Sequence, residues 1–381
     1  MKILMISRDA GILKEGSDVQ KRMAEYGALA DELHIVVFAK QLATHNAQLT
    51  TRKISSNVWV YPTNSRNKWF YVCDAYAVAK RIISISYKLK AKSWMVTTQD
   101  PFETGIVGWL IARKYRVPLQ LQVHTDLFSP YFARESGLNR VRVRIAKFLI
   151  PRASGIRVVS ERIKRSLKAK SYKPKAEPIV LPIFVDAQKI KDAPIKTDLH
   201  KKYPQFDFIA LMASRFTKEK NIPMALAAMA EIAKKHPKAG LVIVGDGPKE
   251  AQLKLLATRY SLLSHVVFEP WTDDLASYYK TADIFVLTSN YEGYGRTPIE
   301  AEAAGCPVIM TDVGIAGEIV KDGENGIVVP VGDAQALADA IGSAIEKKEV
   351  FRASLPEQST KEEYLIAYKK TWKNAFGSRV L

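Results

Sequence analysis

Short apolar runs recur along the whole chain, and longer segments with helical periodicity separate them. The runs hold four to six residues and are rich in β-branched side chains, as in HIVVF and GLVIV. Such runs predict strands that are buried on both faces, which is typical of parallel sheets. Their alternation with helices predicts βαβ units and doubly wound α/β domains. The predicted strands are 2–6, 34–38, 57–61, 94–98, 118–123, 156–159, 208–213, 240–244, 265–268, 284–288, 307–310 and 326–329.

Residues 171–206 interrupt this alternation with five prolines and many charges, a composition that suits a linker and surface turns. We therefore predict two facing Rossmann-like domains, each with a doubly wound parallel sheet, at residues 1–185 and 186–360. A terminal helix is predicted within 361–381. Because ligands of doubly wound sheets bind beyond the carboxyl ends of the strands, we expect the active site in an interdomain cleft.

Helical segments carry their own start signals, and residues 17–33 are an example. Ser17 is a favourable N-cap residue, and Gln20 completes a capping box with it. Apolar positions continue at helical spacing as far as Leu33, which predicts a helix over the whole segment.

The net charge of +18 is concentrated in the first half of the chain. Residues 1–185 hold 32 basic and 13 acidic residues, whereas the remainder holds 25 and 26. Residues 140–175 alone contain 13 Lys and Arg against one acid, Glu161, and residues 66–71 (RNKWFY) set cations beside aromatics. Such a balance suits nucleic acid, an anionic membrane or an acidic substrate. Since no nucleic-acid recognition module stands out, we favour an anionic membrane surface, with ordinary solvated lysine and arginine side chains as the alternative.

Several protein classes are unlikely from the composition. The two cysteines, Cys73 and Cys306, cannot build a disulfide framework, and no Cys/His cluster has zinc spacing. No window reaches the roughly 18 apolar residues of a membrane span. The N-terminal MKILMIS meets Arg8 and Asp9 at once, unlike a signal peptide. We expect a cytoplasmic protein that can attach peripherally to the inner face of a membrane.

The densest chemical signal lies in residues 289–330, where a strand leads into a glycine-containing loop and then a helix near Thr297. Gly293 and Gly295 permit close backbone approach, and a helix N-terminus offers amides to an anion. Glu292 in the loop and Glu300 on the helix can both face one ligand, and a carboxylate accepts sugar hydroxyls well. A structural turn with exposed glutamates stays open as the alternative.

Further polar residues follow other predicted strands. Arg215 and Lys220 lie in a strand-to-helix loop and could neutralise a diphosphate, although a solvated charge run is the alternative. Residues 245–248 (GDGP) read as a tight turn before a helix. Gly16 precedes a helix after the first strand, and His124 directly follows another strand, where a structural histidine is the alternative.

Arg215 to Lys220, IVGDGP, and Glu292 to Glu300 within EGYGRTPIEAEAAGCPVI stand in an order that resembles the GT-B retaining glycosyltransferases of family 4 (glycosyl transferases group 1). The resemblance is densest over 208–330. It implies transfer of a sugar, with retention, from a nucleotide-diphosphate sugar to a glycan or lipid-linked acceptor in cell-envelope polysaccharide or glycolipid synthesis. It also implies that the terminal helix crosses back to the N-terminal domain.

The resemblance assigns roles to matching positions. It places His124 and Glu292 at the reaction centre, and Arg296 stands where many members carry an aliphatic residue. No acidic metal cluster such as D-x-D stands out, so we expect neither a metal nor another cofactor. The donor-binding positions are Gly16, Arg215, Lys220, Gly293, Tyr294, Gly295, Arg296, Thr297 and Glu300, and the positions near the base are Trp271 and Thr272.

Two other functions stay open at this stage. A nucleotide-sugar epimerase could use the same architecture, whereas phosphorylases of the glycogen type are far longer and need a pyridoxal-binding lysine. A non-enzymatic, basic nucleic-acid-binding protein is suggested by charge alone.

Overall fold

The computed structural model describes residues 1–41, 50–90, 93–169, 174–347, 355 and 358–377. The chain divides into two compact units. The N-terminal unit comprises residues 1–128, 136–182 and 362–381, and the C-terminal unit comprises 129–135 and 183–361. The sequence did not anticipate that residues 129–135 group with the second unit.

The N-terminal unit is built on an eight-stranded sheet in the order β3-β4-β2-β1-β5-β6-β7-β8. Its strand pairs are parallel except for the edge strand β3, which runs antiparallel to β4. The strands are β1 (Lys2–Ser7), β2 (Glu32–Val37), β3 (Arg52–Ser55), β4 (Val58–Pro62), β5 (Trp94–Thr98), β6 (Leu119–Val123), β7 (Gly155–Val158) and β8 (Ile179–Val180).

Helices are numbered along the whole chain. The first three are α1 (Asp18–Gly27), α2 (Tyr71–Lys90) and α3 (Glu103–Tyr115), and a short α4 (Pro130–Glu135) lies in the C-terminal unit. The N-terminal unit continues with α5 (Gly137–Leu149) and α6 (Glu161–Ala169), and nearly all of the terminal α14 (Lys361–Gly377) also belongs to it.

The C-terminal unit holds a six-stranded, fully parallel sheet in the order β11-β10-β9-β12-β13-β14. The strands are β9 (Phe208–Ala213), β10 (Ala239–Val244), β11 (Val266–Glu269), β12 (Ile284–Leu287), β13 (Val308–Thr311) and β14 (Gly326–Val329). Its other helices are α7 (Ala187–Asp192), α8 (Leu199–Lys202), α9 (Ile222–Lys235), α10 (Glu250–Arg259), α11 (Leu275–Thr281), α12 (Arg296–Ala303) and α13 (Ala334–Lys347).

The twelve predicted strands are confirmed within a residue or two at each end. The sequence missed β3, which is polar and partly exposed, and β8, which spans two residues. Both lie at the edges of the sheet, where a strand loses the two-sided burial that makes central strands apolar.

The helix predicted over residues 17–33 is wrong in its second half. Ser17 caps α1 as expected, since its side chain accepts a hydrogen bond from the amide of Gln20, but the helix ends at Gly27. The Asn57 side chain donates to the carbonyls of Gly27 and Ala30 and so replaces the helical partners of that turn. Leu33 belongs to β2, where it is fully buried.

Each sheet contains a point at which the direction of strand addition reverses. In the C-terminal unit, β9 pairs with β12, while β10 and β11 extend one side and β13 and β14 extend the other. In the N-terminal unit the corresponding pair is β1 and β5. Ligands of open α/β sheets bind beyond the carboxyl ends of strands at such a point, so the loops after β9 and β12 form the first candidate site.

Candidate active site

Hydrogen bonds join the loops that follow β9 and β12. The Asn290 amide donates to the Glu219 carbonyl at 2.8 Å, and the Thr288 hydroxyl donates to the Lys220 carbonyl at 2.9 Å. The side chain of Asn221 donates to that of Asn290 at 3.1 Å. Two segments that are about 70 residues apart in sequence therefore form one continuous surface at the switch point.

Lys220 and Glu292 form an ion pair across these two loops. Ser289 Oγ donates to the same Glu292 oxygen, Oε1, at 2.7 Å. The side chains of Lys220 and Glu292 are 16% and 15% exposed, so the pair is largely screened from solvent yet open at one side. The cation expected to bind a diphosphate and the carboxylate expected at the reaction centre are thus in direct contact.

Arg215 differs from Lys220 in its surroundings. Its side chain is 74% exposed, and Nη2 lies 3.3 Å from Glu219 Oε1, which also accepts from the Thr217 hydroxyl at 2.7 Å. An exposed pair of this kind contributes little to stability. The guanidinium is therefore accessible to an anionic ligand, but the protein does not fix it tightly.

The GDGP turn supports the loop after β9. A Cβ at Gly245 would lie 1.9 Å from the Ser214 carbonyl oxygen, and a Cβ at Gly247 would lie 2.8 Å from the Phe216 backbone. Both glycines have φ near +150°, and the Phe216 amide donates to the Asp246 carbonyl at 2.6 Å. Only glycine permits this approach. The motif thus acts as the tight turn predicted for it, and it braces the backbone beside Arg215.

The loop after β12 turns sharply into α12, which begins at Arg296. Gly295 occupies the N-cap with φ of 97° and provides no side-chain cap, so the first amides of α12 lack helical acceptors. The preceding Tyr294 is buried, and its carbonyl accepts from the Ile315 amide at 3.0 Å. A Cβ at Gly314 would lie 2.2 Å from that carbonyl oxygen, which shows how closely the two loops pack. This arrangement holds a helix N-terminus ready for an anion.

Glu300 lies one turn into α12, and both of its oxygens are engaged. Arg296 Nη2 donates to Oε1 at 3.0 Å, and the Tyr279 hydroxyl donates to Oε2 at 3.2 Å. Burial, followed by the charge of Glu300, raises the pKa of Tyr279 well above its usual value, so the phenol stays a donor. A carboxylate has about four acceptor sites, so Glu300 can still accept hydroxyl groups from a ligand.

The two positions expected near a base follow β11. The indole of Trp271 is about half exposed, whereas the Thr272 hydroxyl accepts from the Asp274 amide at 3.1 Å and shapes the turn into α11. β11 is an edge strand, three strands away from β12. Trp271 offers a flat aromatic face, and Thr272 has a structural partner.

Gly16 and His124 belong to the N-terminal unit. Gly16 has φ of 70°, which favours glycine, and its amide donates to Gln20 Oε1 at 3.0 Å. His124 follows β6, with Nε2 3.1 Å from Gln122 Oε1. Burial and the charges of Arg157 and Arg22 lower the pKa of His124 to about 3. The imidazole is therefore neutral at physiological pH.

Three supporting groups were missed by the sequence reasoning. Ser289 could have been found as a polar residue at the end of β12, but Tyr279 lies on a helix whose pattern gives no such signal. Arg157 was counted with the basic surface residues, yet the structure buries it at 3% exposure. A charged residue within the apolar run IRVV was the available signal.

Among the described residues, no group of three or more His, Cys, Asp and Glu side chains is arranged to hold a metal ion. The described helices also include none that is both long and apolar enough to cross a bilayer.

The chain is similar to several known proteins. Residues 196–362 match the family model for glycosyl transferases group 1, a segment that contains the loops after β9 and β12. The chain is 30% identical over 240 residues to alpha-monoglucosyldiacylglycerol synthase of Streptococcus pneumoniae, which covers 60% of this chain and 54% of that protein. The chain thus spans about half the length of this curated relative.

Solved structures of the GT-B type share the whole fold. Sucrose-phosphate synthase from Thermosynechococcus elongatus has a TM-score of 0.77 and 21% identity, covering 99% of both chains. HepE from Anabaena in complex with UDP-glucose has a TM-score of 0.69 and 21% identity, covering 100% of this chain and 96% of that one. The fold is therefore GT-B. Within this fold, residues 196–362 resemble the glycosyl transferases group 1.

Proposed function

We propose that the protein transfers a sugar, with retention at the anomeric carbon, from a nucleotide-diphosphate sugar to a glycan or lipid-linked acceptor. The proposed setting is synthesis of cell-envelope polysaccharide or glycolipid. The observation that carries the proposal is the contact between Lys220 and Glu292 at the β9–β12 switch point, beside the N-terminus of α12. The Lys220 ammonium, the Glu292 carboxylate and the first amides of α12 all belong to this partly exposed part of the C-terminal unit.

The chemistry requires stabilisation of the leaving nucleoside diphosphate. Cleavage of the anomeric C–O bond places negative charge on the diphosphate, which Lys220, Arg215 and the first amides of α12 would neutralise. Glu300 would accept the ribose hydroxyls, and Trp271 would stack on the base. Since Lys220, Arg215 and the helix amides would supply the neutralising charge, the proposal includes no metal.

Lys220 has to change partner in this scheme. In the structure its ammonium contacts Glu292, and a donor diphosphate offers a more highly charged acceptor in the same region. Exchange of the ammonium onto the diphosphate would leave Glu292 Oε1 with its Ser289 hydrogen bond and free one acceptor position on that oxygen for the donor sugar. Donor binding and placement of the reaction-centre carboxylate are thereby coupled.

The test is a thermal-shift screen with UDP, GDP, ADP and their sugars. A ligand that binds the folded protein raises Tm in proportion to RT ln(1+[L]/Kd). We expect one nucleotide series to stabilise the wild type and to lose its effect in Lys220→Ala. Lys254→Ala removes another lysine–glutamate ion pair, Lys254–Glu250 on α10, and serves as the matched control. If no nucleotide shifts Tm, the proposed donor class is wrong.

Products separate transfer from the alternative reaction. The anomeric coupling constant of the product, measured by proton NMR, should match that of the donor if configuration is retained. Incubation of the nucleotide sugar without acceptor should leave its sugar unchanged. Conversion to an epimer under those conditions would favour the epimerase instead.

The acceptor is proposed to be presented at an anionic membrane surface, which the N-terminal unit would contact through α5. Leu138, Val141 and Phe148 on this helix are 55%, 46% and 42% exposed. Exposed cations flank them on the same helix at Arg140, Arg144 and Lys147. We call these six residues the α5 outer face. An apolar surface with flanking cations suits insertion among anionic lipid headgroups, at about 1 kcal/mol per nearby cation.

The basic segment 140–175 is not uniformly available for this contact. Arg157 is buried, and Arg142 pairs with Glu103 at 2.8 Å. Lys170 and Lys173 lie outside the described residues. Trp69, which is 91% exposed beside Lys68, is a second candidate contact in the same unit. The name of the Streptococcus relative, a diacylglycerol glucoside synthase, supports a lipid acceptor.

Flotation with vesicles of phosphatidylglycerol and phosphatidylcholine tests membrane attachment. We expect the wild type to float at moderate salt, and Leu138→Ser/Phe148→Ser to float much less. Leu263→Ser changes an even more exposed leucine in the C-terminal unit and is the control. Failure of the wild type to float would remove the membrane from the proposal and leave the donor chemistry intact.

A further inference from the structure

Arg157 is a buried cation on β7 that the proposed chemistry does not use. Its guanidinium donates through Nη2 to the carbonyls of Leu181 and Pro182 at 3.2 and 3.3 Å and to the Tyr364 hydroxyl at 3.2 Å. It also lies 4.7 Å from the centre of the Tyr368 ring. All these partners are neutral. Burying a cation costs free energy unless the cation is paired or hydrogen-bonded, so these contacts are needed to keep Arg157 inside the protein.

A second nitrogen of the Arg157 guanidinium, Nη1, orients a neighbouring amide, whereas Nε is buried without a hydrogen-bond partner among the described residues. Nη1 donates to Gln122 Oε1 at 2.9 Å, and because a guanidinium carries no acceptor, this contact must involve the amide oxygen. Gln122 Nε2 donates to Thr97 Oγ1 at 3.0 Å and to the Tyr368 hydroxyl at 3.2 Å. The Gln122 side chain therefore has a single arrangement in which its contacts are satisfied.

That arrangement determines the state of His124. Its Nε2 lies 3.1 Å from the same Gln122 oxygen, which can only accept, so Nε2 must carry a proton. In a neutral imidazole the other nitrogen, Nδ1, is then the acceptor. The charged groups that face the ring, Arg157 on β7 and Arg22 on α1, both disfavour a second proton.

We infer that Arg157 is a positioning residue: through Gln122 it holds His124 as the neutral Nε2–H tautomer, with Nδ1 available to accept a hydrogen bond from a donor or acceptor hydroxyl. The inference rests on the proposed function for the role of His124, but the tautomer itself is a property of the unliganded protein. Tyr364 and Tyr368 come from α14, so the terminal helix contributes to the same support.

The tautomer is measured directly on the full chain with ¹⁵N-labelled histidine. Long-range proton–nitrogen NMR distinguishes the two neutral tautomers and the cation, and loss of one signal set in His124→Gln identifies His124 among the six histidines. We expect a neutral Nε2–H ring that does not titrate between pH 5 and 8. An Nδ1–H ring, or protonation near pH 6.5, would overturn the inference.

Variants test whether Arg157 is the cause. Arg157→Met should release the ring, giving a tautomer mixture and a raised pKa, because a nearby positive charge is lost. Gln122→Leu should give the tautomer mixture without raising the pKa, and either variant suffices if the other does not fold. Tyr364→Phe removes a different partner of Arg157 and should leave the Nε2–H tautomer unchanged. A folded Arg157→Met protein with an unchanged His124 spectrum would contradict the inference.

Activity gives a separate readout once a donor is known. Gln122→Leu should lower kcat about tenfold with little change in donor KM, because the loss concerns a group positioned for catalysis. If the wild type transfers no sugar from any donor, the proposed function fails while the NMR result still decides the inference about the tautomer.

Discussion

Lys220 and Arg157 are both largely buried cations near the carboxyl ends of parallel strands, yet their partners differ. Lys220 contacts a carboxylate, Glu292, at a surface that keeps 16% of the lysine side chain exposed. Arg157 contacts an amide, two carbonyls and a phenol, and is 3% exposed. A cation with a single charged side chain as its partner can exchange that partner for a ligand. A cation whose donors are divided among fixed neutral acceptors organises the protein instead.

The largest effect is expected from removing the exchangeable cation. Lys220→Ala should lower kcat/KM about 100-fold, or about 3 kcal/mol, because a preorganised donor to the leaving diphosphate is lost. Steady-state kinetics with the donor found in the thermal screen provide the measurement. Arg215→Ala should cost less, since that guanidinium is 74% exposed and only loosely fixed.

The same variant should also lose some stability, because Glu292, which is 15% exposed, keeps its Ser289 hydrogen bond but loses its counter-charge. Urea unfolding should show this loss for Lys220→Ala, whereas Lys254→Ala removes an exposed pair and should change neither activity nor stability by a measurable amount. Equal kinetic losses in Lys220→Ala and Lys254→Ala would break the distinction between a cation that binds ligand and one that merely lies on the surface.

Replacing Arg157, the fixed cation, should mainly lower stability and leave donor binding unchanged. Arg157→Met should lower the free energy of unfolding of the N-terminal unit by about 2 kcal/mol, because it removes the hydrogen bonds that the guanidinium donates to the buried Leu181 carbonyl and Gln122 amide oxygen. The first transition in urea, followed by circular dichroism, measures this. Donor binding to the C-terminal unit should be retained, and its loss together with stability would contradict the comparison.

A pH dependence follows from His124. Since burial and the charges of Arg157 and Arg22 lower its folded-state pKa to about 3, the unfolded chain binds a proton more readily than the folded chain. The contribution of His124 to stability is therefore present above pH 6.5 and falls as the pH drops toward 3, by at most about 1.4 kcal/mol per pH unit. His124→Asn should flatten this part of the stability profile, and identical slopes in the two proteins would rule the effect out.

The smallest effect is expected at Tyr279. Tyr279→Phe removes the hydrogen bond to Glu300 Oε2 while keeping the buried ring, so donor KM should rise about fivefold, or about 1 kcal/mol. Isothermal titration with the nucleoside diphosphate checks it. Tyr260→Phe alters a more exposed tyrosine in the same unit and should have no effect.

The strands were predictable because burial on both faces leaves a continuous apolar run. Elements were not predictable where burial is one-sided or contacts are long-range. β3 and β8 are edge strands, and α1 ends at Gly27, whose carbonyl accepts from Asn57, 30 residues away in sequence. Local patterns contain no information about such a distant partner.

The site was predictable in outline for a similar reason. Arg215, Lys220, Glu292 and Glu300 all follow strands or begin helices, and parallel strands bring their carboxyl ends to one edge. Their individual partners were not predictable. Only the folded loops show that Lys220 meets Glu292, whereas Arg296 and Glu300 have the i,i+4 spacing that a helix alone could have suggested.

The sequence by itself determined the alternation of strands and helices, the two doubly wound α/β domains and the segments that carry charge to the strand ends, because these depend on local periodicity. The GT-B fold was implied by the resemblance of its motifs to a known family. Tertiary structure decided which charges serve which purpose. Arg157 is one of the thirteen cations of segment 140–175. In the sequence, only its place within the apolar run IRVV distinguishes it from the other twelve. Its burial against α14 removes it from the surface, because the electrostatic role of a charge depends on the solvent and partners around it.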